Sequence, residues 1–229
     1  MLFRQLFEPV SCTYTYLVAD KVGGEGLLLD PVDTEVDKYV RLLDELELNL
    51  VFAVDTHVHA DHVTAIGPLA DARGCAAVMG DHSKAESLDR KVADGERIKI
   101  GQDLEIEVLY TPGHTDDSYS FLLPDRVLTG DTLLIRGTGR TDFQHGDARA
   151  QYDSIFHRLL KLDGETMVFP GHDYKGWTVS TIDEERKHNP RLQVDNEAAY
   201  VEIMAALNLA RPAKMDIAVP ANLKCGRRS

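Results

Sequence analysis

Four polar motifs each close an apolar run in this chain: THVHADH (56–62), TPGHT (111–115), TGDT (129–132) and FPGHD (169–173). The runs before them, such as NLVFAV and LEIEVLY, have the length and content of buried strands. Strand ends are where an α/β scaffold directs side chains into a shared site. A chain that ends four strands in histidine or aspartate is therefore expected to gather those ends at one place.

The remaining pattern fits such a scaffold. The start, MLFRQLFEPVSCTYTYLVAD, reads as strands from the first residues, and 11–20 and 26–30 are short runs separated by KVGGE, a hairpin signal. Thr34 opens a helix with Val36, Tyr39, Val40, Leu43 and Leu46 at helical spacing. NLVFAVDTH, CAAVMG, ERIKIG, LEIEVLY, YSFLLP, RVLTGD and TMVFPGHD read as further strands. Helices are expected at 62–73, 148–162, 180–187 and 196–208. The order is β-rich, α/β, β-rich, α/β, which predicts two sheets face to face with helices outside. At 229 residues the chain suits a single domain over 1–229, with a C-terminal helical appendage from about residue 180 to 229.

Composition excludes several classes. The formal charge of −13 offers no basic footprint for nucleic acid. Any anionic ligand would need its own local cations. The three cysteines, Cys12, Cys75 and Cys225, form no CxxC pair, so neither a disulfide framework nor a thiolate zinc site is expected. No apolar run of about 18 residues predicts a membrane span, and the N-terminus lacks the apolar stretch of a secretion signal. A cytoplasmic protein is expected.

The motifs supply seven candidate metal ligands: His57, His59, Asp61, His62, His114, Asp131 and His172. His57 and His59 have the spacing that puts both on one face of a strand. Imidazole and carboxylate suit zinc, iron or manganese. In both PGH turns, proline stiffens the approach and glycine permits a close backbone contact. His82, His157 and His188 lie in polar or surface contexts and read as non-ligands, while His145 in FQHGD stays unassigned. By residue type alone, the set serves either one metal ion or two.

The order HxHxDH, PGHT, TGD, PGHD resembles the metallo-β-lactamase superfamily, which implies an αββα four-layer sandwich. The segments TGDTLLIRGTGRTDFQHGD (129–147), FPGHDYKGWTVSTIDEERKHNPR (169–191) and IAVPANLKCG (217–226) are similar to the persulfide dioxygenases, also called sulfur dioxygenases or ETHE1-like proteins. Gly171 departs from the alanine of the eukaryotic members.

This second resemblance implies one Fe(II) per chain held by His57, His114 and Asp131, a facial triad with positions open for substrate and dioxygen. His59, Asp61, His62 and His172 would then surround the ligands and orient them. It implies oxidation of glutathione persulfide with dioxygen and water to sulfite and glutathione. Arg140, Tyr174 and Arg191 are the candidates for binding the substrate, with Arg140 also placed to brace its loop through Asp142. Relatives are often dimers. With the chain ending at Ser229 no fused rhodanese domain is expected, so a sulfurtransferase partner would be a separate protein. Cys225 is assigned no catalytic role. The competing reading is a binuclear hydrolase of glutathione thioesters, like glyoxalase II, a resemblance that implies one ion on His57, His59, His114 and Asp131 and a second on Asp61, His62 and His172, with Asp131 bridging. An intact ligand set argues against a non-catalytic scaffold.

Overall fold

The computed structural model describes residues 1–227. Its first sheet contains β1 (Leu2–Glu8), β2 (Thr13–Ala19), β3 (Glu25–Leu29), β4 (Asn49–Val54), β5 (Ala76–Gly80) and β6 (Arg90–Val92), paired in that order. The chain then builds β7 (Arg97–Ile100), β8 (Leu104–Tyr110), β9 (Tyr119–Leu122) and β10 (Arg126–Gly130), followed by a small hairpin of β11 (Leu133–Leu134) and β12 (Gly137–Thr138). With β13 (Met167–Pro170) and β14 (Ser180–Thr181), the second sheet runs β14-β13-β10-β9-β8-β7.

Strand parity places the cores. In β2 and β3, Tyr16, Val18, Leu27 and Leu29 face the second sheet and meet Ile98, Ile106, Val108, Phe121, Leu128 and Phe169. Their alternates Leu17 and Leu28 face outward, onto Tyr39 and Leu43 of α1 (Val36–Glu45) and Ile66 and Leu69 of α2 (Ile66–Arg73). On the far side, Leu109, Val127 and Val168 pack against α3 (Ala148–Tyr152) and its continuation, α4 (Ile182–His188) and α5 (Glu197–Ala205). Both faces of each sheet are covered, which is why the strands read as continuous apolar runs. This is the four-layer αββα sandwich.

The helix expected at 62–73 begins only at Ile66. The backbone before it is held by side chains instead: Thr64 N–H donates to Asn222 Oδ1 at 2.9 Å, and Thr64 Oγ1 donates to Asp55 Oδ1 at 2.9 Å. The helix at 148–162 passes from α3 through a π-helical turn, Asp153–Arg158, into a 3₁₀ turn, Leu159–Lys161. The C-terminal segment is fastened at both ends. β14 pairs with β13, and α6 (Met215–Asn222) ends on Asn222, which is buried against the 59–64 loop.

Candidate metal centre

The motif residues converge because parallel strands end side by side. β3 and β4 are parallel neighbours, and Asp30 and Asp55 follow their last residues. β10 and β13 are also parallel, with Gly130 opposite Pro170, so Asp131 and His172 emerge next to each other. The ligand atoms of His57, His114 and Asp131 lie within 4.8 Å of one another. His114 is placed by its PGH turn, where Gly113 has φ 137 and an added Cβ would stand 2.3 Å from Gln151 Cα. Only glycine fits there. At Gly171 a Cβ would meet Asp131 Oδ1 at 2.8 Å.

Hydrogen-bond chemistry fixes which atom each candidate ligand could offer. Thr56 Oγ1 donates its one hydrogen to Asp30 Oδ2 at 3.0 Å, so it must accept from His57 Nδ1 at 2.9 Å. The lone pair of His57 is then on Nε2. His114 Nδ1 donates to the Arg140 carbonyl at 2.7 Å, which also leaves Nε2 free, 3.6 Å from Asp131 Oδ2. Asp131 Oδ1 accepts from His172 Nδ1 at 2.7 Å. Each triad member thus has one atom held from behind and one turned inward, the arrangement that orients metal ligands. Two imidazoles and a carboxylate suit a divalent transition metal.

The other four candidates surround this triad. His59 Nε2 donates to Asp30 Oδ1 at 3.1 Å, and His62 Nδ1 donates to Asp61 Oδ2 at 2.9 Å. Their remaining nitrogens, His59 Nδ1 and His62 Nε2, are buried without a partner. His59, Asp61 and His62 form a second group with ligand atoms within 4.8 Å. His172 has both nitrogens engaged, Nδ1 on Asp131 and Nε2 on Asp61 Oδ2 at 2.9 Å.

The electrostatics follow from this packing. Burial, helped by His59 and His114, pushes the His57 pKa well below the ordinary imidazole value. Burial also opposes charge on His172 and His59, but nearby carboxylates prevail. Asp131 and Asp61 hold His172 well above its usual range, and Asp30 lifts His59 to about 9. Although burial works against them, His172 and its neighbours keep Asp131 and Asp61 below the normal carboxylate range.

A cavity of about 640 Å³ opens onto the centre, with Asp61, His114, Asp131 and His172 in its wall. Arg140, Tyr174 and Arg191 all line it as well. Their states differ. Arg140 binds Asp142 through Nε and Nη2 at 2.6 and 2.8 Å and the Ala210 carbonyl through Nη1 at 2.6 Å, so it braces its loop. Arg191 binds only the backbone and hydroxyl of Thr138 and has no carboxylate partner among the described residues. Tyr174 is 69% exposed and parallel to the His172 ring, with centroids 6.1 Å apart. Lys175 and Lys214 also line the cavity without an ion-pair partner among the described residues, and the sequence reading missed both as binding residues. It likewise missed Thr13, Asp30, Gln144 and Asn222, whose side chains support the centre from a distance in sequence. His145 lines a separate shallow depression with Met204 and does not reach the centre.

Comparison with known proteins identifies the family. The metallo-beta-lactamase superfamily model matches residues 10–172. The human protein named persulfide dioxygenase ETHE1, mitochondrial, is 46% identical, over 99% of this chain and 89% of its own length. The crystal structure of ETHE1 from Myxococcus xanthus superposes with a TM-score of 0.96 at 49% identity, covering 99% of this chain and 100% of that one. The protein TTHA1623, crystallised in a di-iron-bound form, is 27% identical with a TM-score of 0.68, covering 83% of this chain and 99% of that one.

Proposed function

Because the chain belongs to the metallo-β-lactamase superfamily and, within it, to the persulfide dioxygenases, we propose that it oxidises glutathione persulfide at a single Fe(II) held by His57, His114 and Asp131. The persulfide S–S bond breaks. The outer sulfur leaves as sulfite carrying both atoms of dioxygen and one oxygen from water, while glutathione and two protons are released. Bound iron supplies the one-electron and oxygen chemistry that zinc lacks.

The observation that carries the one-ion reading is His172. Its Nδ1 lies 2.7 Å from Asp131 Oδ1 and its Nε2 2.9 Å from Asp61 Oδ2, so both nitrogens are engaged with carboxylates. The chain's own residues then bind and orient the substrate. Arg191, Lys175 and Lys214 provide cations for the two glutathione carboxylates, against an apolar wall that includes Leu134, Ile135 and Pro212. Arg140 contributes by fixing the 137–142 loop, whose Arg140 carbonyl orients His114. Tyr174 stands beside His172 as a flat wall for the persulfide end. Three free thiols suit a reducing cytoplasm, and among the described residues no helix is long and apolar enough to cross a membrane. A homodimer and a separate sulfurtransferase donor complete this reading.

One observation favours the binuclear thioester hydrolase: His59 Nδ1 and His62 Nε2 are buried nitrogens without a hydrogen-bond partner, beside Asp61. A paired experiment separates the two. The protein is purified anaerobically and its iron and zinc are counted. Oxygen uptake with glutathione persulfide is then compared with hydrolysis of S-lactoylglutathione. One iron per chain with oxygen uptake is expected. Two zinc ions with thioesterase turnover and no oxygen uptake would overturn the dioxygenase.

A further inference from the structure

The strap between α5 and α6 differs from the rest of the C-terminal segment. Both of its ends are anchored: Leu207 packs on the core beneath α5, and Ala218 and Asn222 of α6 are buried. Between those anchors, residues 208–211, 213 and 214 are exposed. No backbone amide of 208–214 pairs with a backbone carbonyl among the described residues. One side chain ties the strap to the sandwich there. Arg140 Nη1 donates to the Ala210 carbonyl at 2.6 Å, and Nη2 to the Leu209 carbonyl at 3.2 Å. The pair of Arg211 with Asp216 stays within the segment. A stretch with so few backbone bonds and so little buried surface moves at low free-energy cost.

The strap is also part of the cavity. Leu209, Ala210, Pro212, Ala213 and Lys214 supply a share of its wall. Leu209 is 47% exposed there, and Val10 and Tyr174, which line the same cavity from segments distant in sequence, are 74% and 69% exposed. Lining residues this exposed mark the mouth. Covering it would bury apolar surface that water now meets. Lys214, which has no ion-pair partner among the described residues, rides on the same strap. Glutathione carries a carboxylate on each side of its cysteinyl residue. With the persulfide at the metal centre, those arms extend toward the mouth. Cysteine persulfide has no such arms.

We propose that residues 208–214 are a lid that closes over the glutathione part of the substrate, pivoting on Arg140 and bringing Lys214 onto a carboxylate, and that this closure selects tripeptide persulfides over shorter ones. The proposal rests on the reading of glutathione persulfide as the substrate. Contacts to the remote arms drive closure, and closure excludes water from the centre. A persulfide too short to reach Lys214 and the Leu209 rim leaves the lid open. Arg140 keeps the middle of the strap on the cavity wall throughout, which makes it a positioning residue for the lid.

The test follows the iron-loaded protein under anaerobic conditions by hydrogen exchange, free and with glutathione or cysteine at equal concentration. Calorimetry measures the binding of each in parallel. Glutathione should slow exchange of the 208–214 amides several-fold, and cysteine should leave it unchanged. Oxygen uptake then gives kcat/KM for glutathione persulfide relative to cysteine persulfide. That ratio is expected to fall about tenfold in Lys214→Met, which loses one charge-assisted bond, and to fall in Leu209→Ser. Both positions are exposed, so neither change threatens folding. If glutathione does not bind, or its persulfide is not oxidised by wild type, the substrate reading fails and the lid with it. If glutathione binds and the strap still exchanges at its free rate, the lid is overturned and the substrate reading stands. Slowed exchange with cysteine as well, or an unchanged ratio in either variant, would overturn the role of the strap in selection.

Discussion

At the scale of single residues, the two arginines of the cavity show how partners decide role. Arg140 and Arg191 both line the pocket, yet the first is committed to Asp142 and two loop carbonyls while the second has donors to spare. A charge-assisted hydrogen bond contributes about 1.5–3 kcal/mol, roughly a tenfold to hundredfold change in binding. Arg191→Met is accordingly expected to raise KM for glutathione persulfide at least about tenfold with kcat little changed, as read from steady-state oxygen uptake. An unchanged KM would remove Arg191 from the substrate site. Asp61→Ala makes a different distinction. Asp61 touches His62, His172 and Thr13 but lies outside the His57–His114–Asp131 group. Iron content near one per chain should persist in this variant, with activity altered. Loss of one of two ions would instead favour the binuclear centre.

At the scale of elements, α6 shows what sequence reading can and cannot reach. The histidine motifs were legible because each ends an apolar run, so strand periodicity located them before any contact was known. α6 carries no such signal. It is short, contains Pro220, and matters through one side chain at its end. Asn222 Nδ2 donates to the carbonyls of His59 and His62, each at 2.9 Å, and Asn222 Oδ1 accepts from Thr64 N–H. Those partners lie about 160 residues earlier, beyond any local pattern. The direction of each imidazole was equally hidden, since Asp30, Thr13 and the Arg140 carbonyl choose it from other elements. Asn222→Ala would leave two carbonyls and an amide unpaired in a buried place. With about 1–3 kcal/mol lost per orphaned group, the variant should unfold at clearly lower urea than wild type and bind metal more weakly. Equal urea midpoints would mean that water or a backbone shift replaces the clasp.

At the scale of the whole molecule, a chain of charge −13 places cations at the wall of the cavity beside which its histidine and aspartate motifs converge. The sandwich makes that possible by ending strands from both sheets at one edge, so the centre joins the two halves of the fold. Its charges should therefore be felt in global stability. In the metal-free protein, Asp61 and Asp131 are held below the ordinary carboxylate value of 3.8 by His172 and its neighbours, against the opposing effect of burial. Their stabilisation is complete above that value and is lost as pH falls through the lowered native values. His172 behaves in the opposite sense. Burial opposes its charge, but Asp131 and Asp61 raise it well above 6.5, so its contribution is complete below 6.5 and fades as pH rises toward the raised native value. Thermal midpoints of the metal-stripped protein, measured from about pH 3 to about pH 10, should thus show a plateau flanked by an acid and an alkaline decline. His172→Gln carries no charge and should lower the plateau and make the alkaline limb shallower, leaving the part that His59, raised to about 9, contributes. If wild type and His172→Gln instead lose stability in parallel above pH 6.5, the ion-paired histidine does not link the two sheets energetically.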